Sequence, residues 1–161
     1  EVHCFNVSQG ILNVCKERDR ILYTSSENGF VEMYTYDVCP LKRVLFPIRP
    51  EGVRYYMENG SATFQGGVPY GALSVYSDEE YIYVLYVGKC VTNAEFNSKK
   101  GVHELDRSYI IKMDWDANIE SCYELDTVPY NISMVPGDAK TVYMTVKDSE
   151  GRRVLCKASM N

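Results

Sequence analysis

Ile82-Tyr83-Val84 has two counterparts in this chain, Leu22-Tyr23-Thr24 and Val142-Tyr143-Met144, so the tyrosine recurs every 60 residues. Each copy follows an apolar segment and a polar turn, and a second turn and another apolar segment come after it. An internal repeat with such a period is typical of an array of similar units. The sequence therefore predicts a repeat protein rather than one irregular domain.

Around each copy, short runs rich in β-branched and aromatic residues predict β-strands, and helix is disfavoured throughout. Asn28-Gly29 marks a hairpin, because both residues tolerate a positive φ. The units occupy residues 9–48, 71–127 and 131–161 of a single segment, 1–161. Their predicted strands are 11–15, 21–24, 30–36 and 42–46; then 72–76, 81–87, 109–114 and 122–125; then 132–134, 142–146 and 154–158.

Repeated four-stranded antiparallel meanders are the sequence signature of β-propeller blades. We therefore predict an all-β protein, a propeller segment of about three blades that forms half of a six-bladed propeller. A β-sandwich is the main competitor. The third unit is one strand short, and residues 1–8 are predicted to be the fourth strand of another blade. Three blades do not close a ring, so either further blades belong to a longer chain or two copies pair in a homodimer.

The run from Tyr70 to Lys89, followed by Tyr109–Asp116, resembles the TolB-like six-bladed propellers, which are lipoproteins of the bacterial cell envelope. The likeness covers about residues 70 to 160. The chain departs from the family pattern at Ala117-Asn118, where glycine is usual, and it lacks the lipid-bearing cysteine context. The resemblance implies a propeller fold and a periplasmic or outer-membrane-anchored location, and it carries no established reaction.

Composition excludes several kinds of partner. The 161-residue chain has a net charge of -5 and no run of five like charges, which disfavours nucleic acid as a partner. No apolar run approaches the roughly 20 residues that a membrane-spanning helix needs, so we predict no transmembrane segment.

The six cysteines, at positions 4, 15, 39, 90, 122 and 156, have irregular spacing and form no C-x-x-C pair. We interpret them as small structural hydrophobes, with a disulfide or metal site as the alternative. His3 and His103 are far apart and lack partners at ligand spacing, so no metal site and no cofactor is predicted.

Asp114-Trp115-Asp116-Ala117-Asn118 matches the first ligand positions of a calcium loop, but the later glycine and glutamate are not at the required offsets. A hairpin turn is therefore the favoured interpretation. No nucleophile elbow and no phosphate-binding glycine motif is present, and no acid–base pair can be selected from the turn carboxylates.

Two insertions interrupt the repeat, at Pro50–Tyr70 and Gly88–Arg107. In a meander both connections leave the same side, so we predict that both project from one face and mark a binding face. The alternative is that their aromatic residues only cover blade edges. The candidate binding residues, which share aromatic or polar contact groups, are Arg54, Tyr55, Tyr56, Phe64, Tyr70, Phe96, Asn97, Lys99, Lys100 and His103.

These features favour a non-catalytic binding or scaffolding module of the cell envelope that recognises a protein or a glycan. The alternative is part of a propeller hydrolase or lyase with its active site at the central channel. An enzyme of that kind requires clustered carboxylates or histidines with shifted pKa values near the ring axis.

Overall fold

The computed structural model describes residues 9–48, 54–58, 61–65, 67–92, 94, 95, 98, 101–138 and 140–160. Thirteen strands and one short 3-10 helix, Val102–Glu104, lie in this part of the chain. The strands are β1 Gly10–Cys15, β2 Arg20–Ser25, β3 Phe30–Tyr34, β4 Pro40–Leu45, β5 Arg54–Glu58, β6 Ser61–Gln65, β7 Val68–Ser77, β8 Tyr81–Val91, β9 Ser108–Asp114, β10 Ile119–Leu125, β11 Asn131–Met134, β12 Thr141–Lys147 and β13 Arg153–Ser159.

The all-β prediction is confirmed. β1 to β4 form sheet 1, β7 to β10 form sheet 2 and β11 to β13 form sheet 3, each an antiparallel meander in chain order, and β5 pairs with β6 in a separate hairpin. Alternating apolar residues and polar turns thus located the strands of all three sheets. Residues 1–8, predicted as a strand of another blade, lie outside the described residues.

The three sheets stack face to face in the order 1, 2, 3. One face of sheet 2, with Ile82 and Val84, packs against Leu22 and Met33 of sheet 1. Its other face, with Tyr83 and Leu85, packs against the face of sheet 3 that carries Met144. Sheet 2 is therefore buried on both sides, which explains why β8 reads as an almost continuous apolar run.

The first strands of the three sheets lie side by side, since β7 contacts both β1 and β11. Asn13 Nδ2 on β1 donates a hydrogen bond to Ser77 Oγ on β7, at 3.1 Å. At the other end of β7, Gly71 N donates to Ser26 O at 2.6 Å, and a Cβ at position 71 would lie 2.9 Å from that oxygen. Glycine at position 71 therefore permits the close approach of sheets 1 and 2.

The repeated three-residue motif does not have one orientation throughout. Ile82 and Val142 both face the preceding sheet, whereas Leu22 faces the following one. Successive side chains of a strand point to opposite faces of the sheet. Shifting the alignment by an odd number of residues therefore moves every apolar side chain to the opposite face. The 60-residue period is therefore exact for the second and third units, and the first unit is displaced in register.

Both predicted insertions contain more strand than expected. Pro50–Tyr70, predicted as an insertion that interrupts the repeat, holds the β5–β6 hairpin and the start of β7. The predicted strand 81–87 continues to Val91, where β8 pairs with the early part of β7. The pairing of β7 with β8 therefore extends beyond the strands predicted from the repeat.

The cysteines share no single environment. Cys15 is buried, as a small core hydrophobe would be, but Cys39 and Cys122 are exposed. The structural interpretation is therefore right for Cys15 and wrong for the exposed Cys39 and Cys122. Cys122 lies on β10, the outermost strand of sheet 2. Cys4 lies outside the described residues, and the five described cysteines are free thiols.

The segment Asp114–Asn118 is a hairpin turn between β9 and β10, as predicted. Asp114 Oδ1 accepts hydrogen bonds from the backbone N–H of Asp116 and Asn118, at 2.9 and 2.8 Å. Burial opposes the ionisation of Asp114, but these bonds outweigh it and lower the pKa of the carboxyl. Ala117 takes a φ of 56°, the region where glycine is usual, and its side chain packs in the core between sheets 1 and 2.

Asp114→Ala is expected to lower the free energy of unfolding by about 1 to 2 kcal/mol, because two backbone donors lose their acceptor. Urea unfolding at pH 7 measures the change, with Asp116→Ala, an exposed residue of the same turn, as the matched control. Thermal unfolding of the wild type should not respond to millimolar calcium. A calcium-dependent rise in Tm that Asp114→Ala abolishes would contradict the turn interpretation.

In the described part of the structure, we find no helix with the length and apolarity needed to cross a membrane.

Candidate functional site

Both insertions leave sheet 2 at the same end. Val68, near the end of the first insertion, pairs with Val91, near the start of the second. The turn between β2 and β3 meets β7 at this end, through the hydrogen bond between Gly71 N and Ser26 O. We call this end of the structure the insertion face.

The β5–β6 hairpin carries most of the described candidate residues. Arg54 and Tyr55 lie in β5, and the backbone of Tyr55 pairs with that of Phe64. Tyr56 is exposed, at 49% of its surface, while Phe64 and Tyr70 are half-buried. The hairpin therefore presents at least one large aromatic side chain to solvent.

Within the second insertion, Thr92 and Glu95 form a reciprocal pair of hydrogen bonds. Thr92 N donates to Glu95 Oε2 at 2.8 Å, and Glu95 N donates to Thr92 Oγ1 at 3.2 Å. Such a pair is the capping box that starts a helical turn. These bonds from Thr92 hold the pKa of the Glu95 carboxyl below its usual range. The candidate residues Phe96, Asn97, Lys99 and Lys100 lie outside the described residues.

His103 lies against sheet 3. Its ring centroid is 3.8 Å from that of Tyr130, and its Nδ1 is 3.1 Å from Val128 O. A carbonyl only accepts, so Nδ1 carries the hydrogen and, in the neutral ring, Nε2 is left as the basic nitrogen. The guanidinium of Arg153 lies 4.0 Å from the centroid of the Tyr130 ring, adding a cation–π contact. These contacts fix the end of the second insertion to sheet 3.

A polar cleft of about 460 Å³ separates the segment His103–Leu105 from the turn Lys147–Gly151. Glu104 and Lys147 form an ion pair across it, and the hydrogen bond that Lys147 donates to the Glu104 carboxylate raises the pKa of the Lys147 ammonium. The backbone N–H of Arg152 donates a hydrogen bond to the Asp148 carboxylate and lowers the pKa of that carboxyl. This bond closes the turn between β12 and β13. The cleft offers paired charges of both signs, which suits polar contacts with a partner.

Sequence reasoning missed the contributions of Tyr130, Arg153 and Lys147. The repeat contained a signal for Lys147, because the turn between β12 and β13 occupies the same place in its sheet as the second insertion does in sheet 2. The stacking of His103 on Tyr130 had no local signal.

Glu27, in the turn between β2 and β3, was also missed. Its side chain is 8% exposed, and Oε2 has no hydrogen-bond partner among the described residues. Burial raises the pKa of this carboxyl to about 7. Among the described aspartate and glutamate residues, Glu27 is the one whose pKa is raised. The described residues therefore contain no pair of neighbouring carboxyl groups with raised pKa values.

The described residues include no group of three histidine, cysteine or acidic side chains that could hold a metal ion. No protein-family model matches this sequence, and a comparison with curated proteins found no match either. Fold and site together define an all-β protein of stacked antiparallel sheets with an aromatic and polar face at one end.

Proposed function

We propose that this chain is a β-propeller segment of about three blades, of the TolB-like kind, that works as a non-catalytic binding or scaffolding module of the bacterial cell envelope. It recognises a protein or a glycan through the insertion face. The propeller arrangement is supported by a middle sheet buried on both sides and by three adjacent first strands. The envelope location follows from the sequence resemblance alone.

The pairing of Val68 with Val91 is the observation that carries the binding proposal, because it brings two insertions of different sequence to one end of the structure. Insertions on one face of a repeat protein commonly form its binding surface. Tyr56, within the first insertion, is an exposed aromatic residue, and aromatic rings stack on sugars and fill pockets of protein partners.

The alternative function, a propeller hydrolase or lyase, receives weaker support. Catalysis by a pair of carboxyl groups needs a second acidic side chain close to the carboxyl whose pKa is raised, which here is Glu27. Glu27 is buried within the turn that packs on β7, and His103 is held in the ring stack with Tyr130 on sheet 3. Neither residue belongs to a described cluster of catalytic groups.

Tyr56→Ala is expected to weaken partner binding about tenfold, which corresponds to the loss of roughly 1.4 kcal/mol of aromatic contact. Binding is measured on an array of peptidoglycan fragments and lipopolysaccharide oligosaccharides for a glycan. For a protein partner, a photoreactive phenylalanine analogue at position 56 is crosslinked in cells.

Tyr36 supplies the matched control, since it is 42% exposed and lies at the opposite end, where its backbone N–H donates to Asp19. Tyr36→Ala should leave binding unchanged, and a photoreactive group at position 36 should capture no partner. Equal effects at positions 36 and 56, or no bound glycan and no crosslinked protein from position 56, would contradict recognition through the insertion face.

A further inference from the structure

The second face of sheet 1 is apolar and is left uncovered by the described residues. Cross-strand pairs place Leu12 beside Tyr23 and Phe30 beside Leu45 on this face. Leu12 is 66% exposed and Leu45 is 53% exposed. We call it the open face of sheet 1. Soluble proteins seldom leave such an apolar surface without a partner.

A groove of about 530 Å³ runs along the open face of sheet 1. Leu12, Tyr23 and Phe30 line its apolar part. Its polar edge is formed by Glu32 and Arg43, an ion pair to which the Tyr34 hydroxyl adds a hydrogen bond of 2.7 Å. The groove thus suits an aliphatic side chain from a second surface that also brings polar groups.

The far face of sheet 3 carries a matching projection. Pairing in β12 and β13 puts Leu155 beside Thr145 and Lys157 beside Tyr143, on the side away from sheet 2. Leu155 is 74% exposed, the largest value among the exposed large hydrophobic residues described. We call this surface the open face of sheet 3.

We propose that the two open faces bind each other in a head-to-tail dimer, in which the open face of sheet 3 of each copy packs on the open face of sheet 1 of the other. Six stacked sheets then close into one ring, and Leu155 of one copy occupies the groove of its partner. This inference rests on the proposed propeller arrangement, and it identifies a second copy of this chain as the partner of both faces.

The size of the two faces favours this closed pair. Strands of six residues at about 3.3 Å per residue, three or four of them at about 4.8 Å spacing, cover roughly 300 to 400 Å². One such contact buries about 600 to 800 Å² from both partners together, less than the roughly 1,200 Å² of a stable interface. A head-to-tail pair makes two contacts and buries about 1,200 to 1,600 Å², within the standard range.

Sedimentation equilibrium of the full chain between about 1 and 100 µM tests the proposal. The wild type is expected at twice the chain mass of 18.4 kDa. Leu12→Glu and Leu155→Glu should each weaken the dimer at least a hundredfold, because each replaces an apolar contact with a charged side chain in both contacts of the pair. Ile119→Glu, on the outermost strand of sheet 2 and 36% exposed, should leave the mass unchanged.

Circular dichroism and Tm verify that each variant is folded, and Leu155→Ser replaces Leu155→Glu if the charged variant is not. A monomeric wild type at 100 µM would overturn the proposal. So would a dimer that Leu12→Glu dissociates and Leu155→Glu does not, since it would show pairing through sheet 1 alone. A monomer that still binds a partner through Tyr56 would overturn the dimer and leave the proposed function intact.

Discussion

Leu85→Ala is expected to lower the free energy of unfolding by about 3 kcal/mol, and the Tm accordingly. Leu85 is fully buried between sheets 2 and 3, in the cluster that contains Met144. Removing three carbons there loses the transfer free energy of the side chain and leaves a cavity that packed sheets refill only in part. Urea unfolding followed by tyrosine and tryptophan fluorescence measures the change.

Leu41→Ala is the matched control, because Leu41 lies on the outermost strand of sheet 1 and is 49% exposed. Its loss should cost less than about 0.5 kcal/mol. If Leu85→Ala costs no more than Leu41→Ala, then sheet 2 is not covered by sheet 3, and the stack of three sheets is wrong.

Glu27→Gln is expected to stabilise the protein by about 2 to 3 kcal/mol at pH 8 and to change little at pH 4. Burial raises the pKa of Glu27 to about 7 in the folded protein, so the folded state holds a proton that the unfolded chain has already released. Stability from this group is complete below the unfolded-state pKa and is lost as the pH rises through the folded-state value. Glutamine is neutral at every pH and avoids that loss.

Urea unfolding of the wild type and Glu27→Gln at pH 4, 6 and 8 gives the difference in unfolding free energy directly. Glu80→Gln, at an exposed position in the turn between β7 and β8, is the control and should show no pH-dependent difference. A Glu27→Gln variant less stable than the wild type at pH 8 would mean that the carboxylate is compensated by a favourable charge or hydrogen bond.

Local sequence patterns were sufficient for the strands of the three sheets, since alternation and turn residues act over a few positions. The β5–β6 hairpin was also encoded locally: Asn59-Gly60 lies between its two strands and is the strongest short hairpin signal. The prediction missed it because the segment was treated as an interruption of the repeat. Which face of the first unit packs against sheet 2 was harder to predict, because a register shift of one residue leaves the alternating pattern of the sequence unchanged.

Non-local contacts limited the prediction of the site. The turn Ser25-Ser26-Glu27-Asn28 is polar and predicts an exposed connection, yet the approach of Gly71 on β7 to this turn brings sheets 1 and 2 into close contact there. His103 and Tyr130 come together only because the second insertion folds back on sheet 3. Such contacts depend on how sheets stack, which composition and spacing do not determine.

Crosslinking between the first strands tests the sheet arrangement most directly. In a background with the native cysteines replaced by serine, Asn13→Cys with Ser77→Cys is treated with a short bifunctional methanethiosulfonate reagent, and the intramolecular product is quantified by mass spectrometry. These side chains are 3.1 Å apart across sheets 1 and 2, so near-complete crosslinking is expected, while Leu12→Cys with Ser77→Cys, on the opposite face of β1, should give almost none. No product from the first pair, or equal product from both, would contradict the side-by-side packing of the first strands.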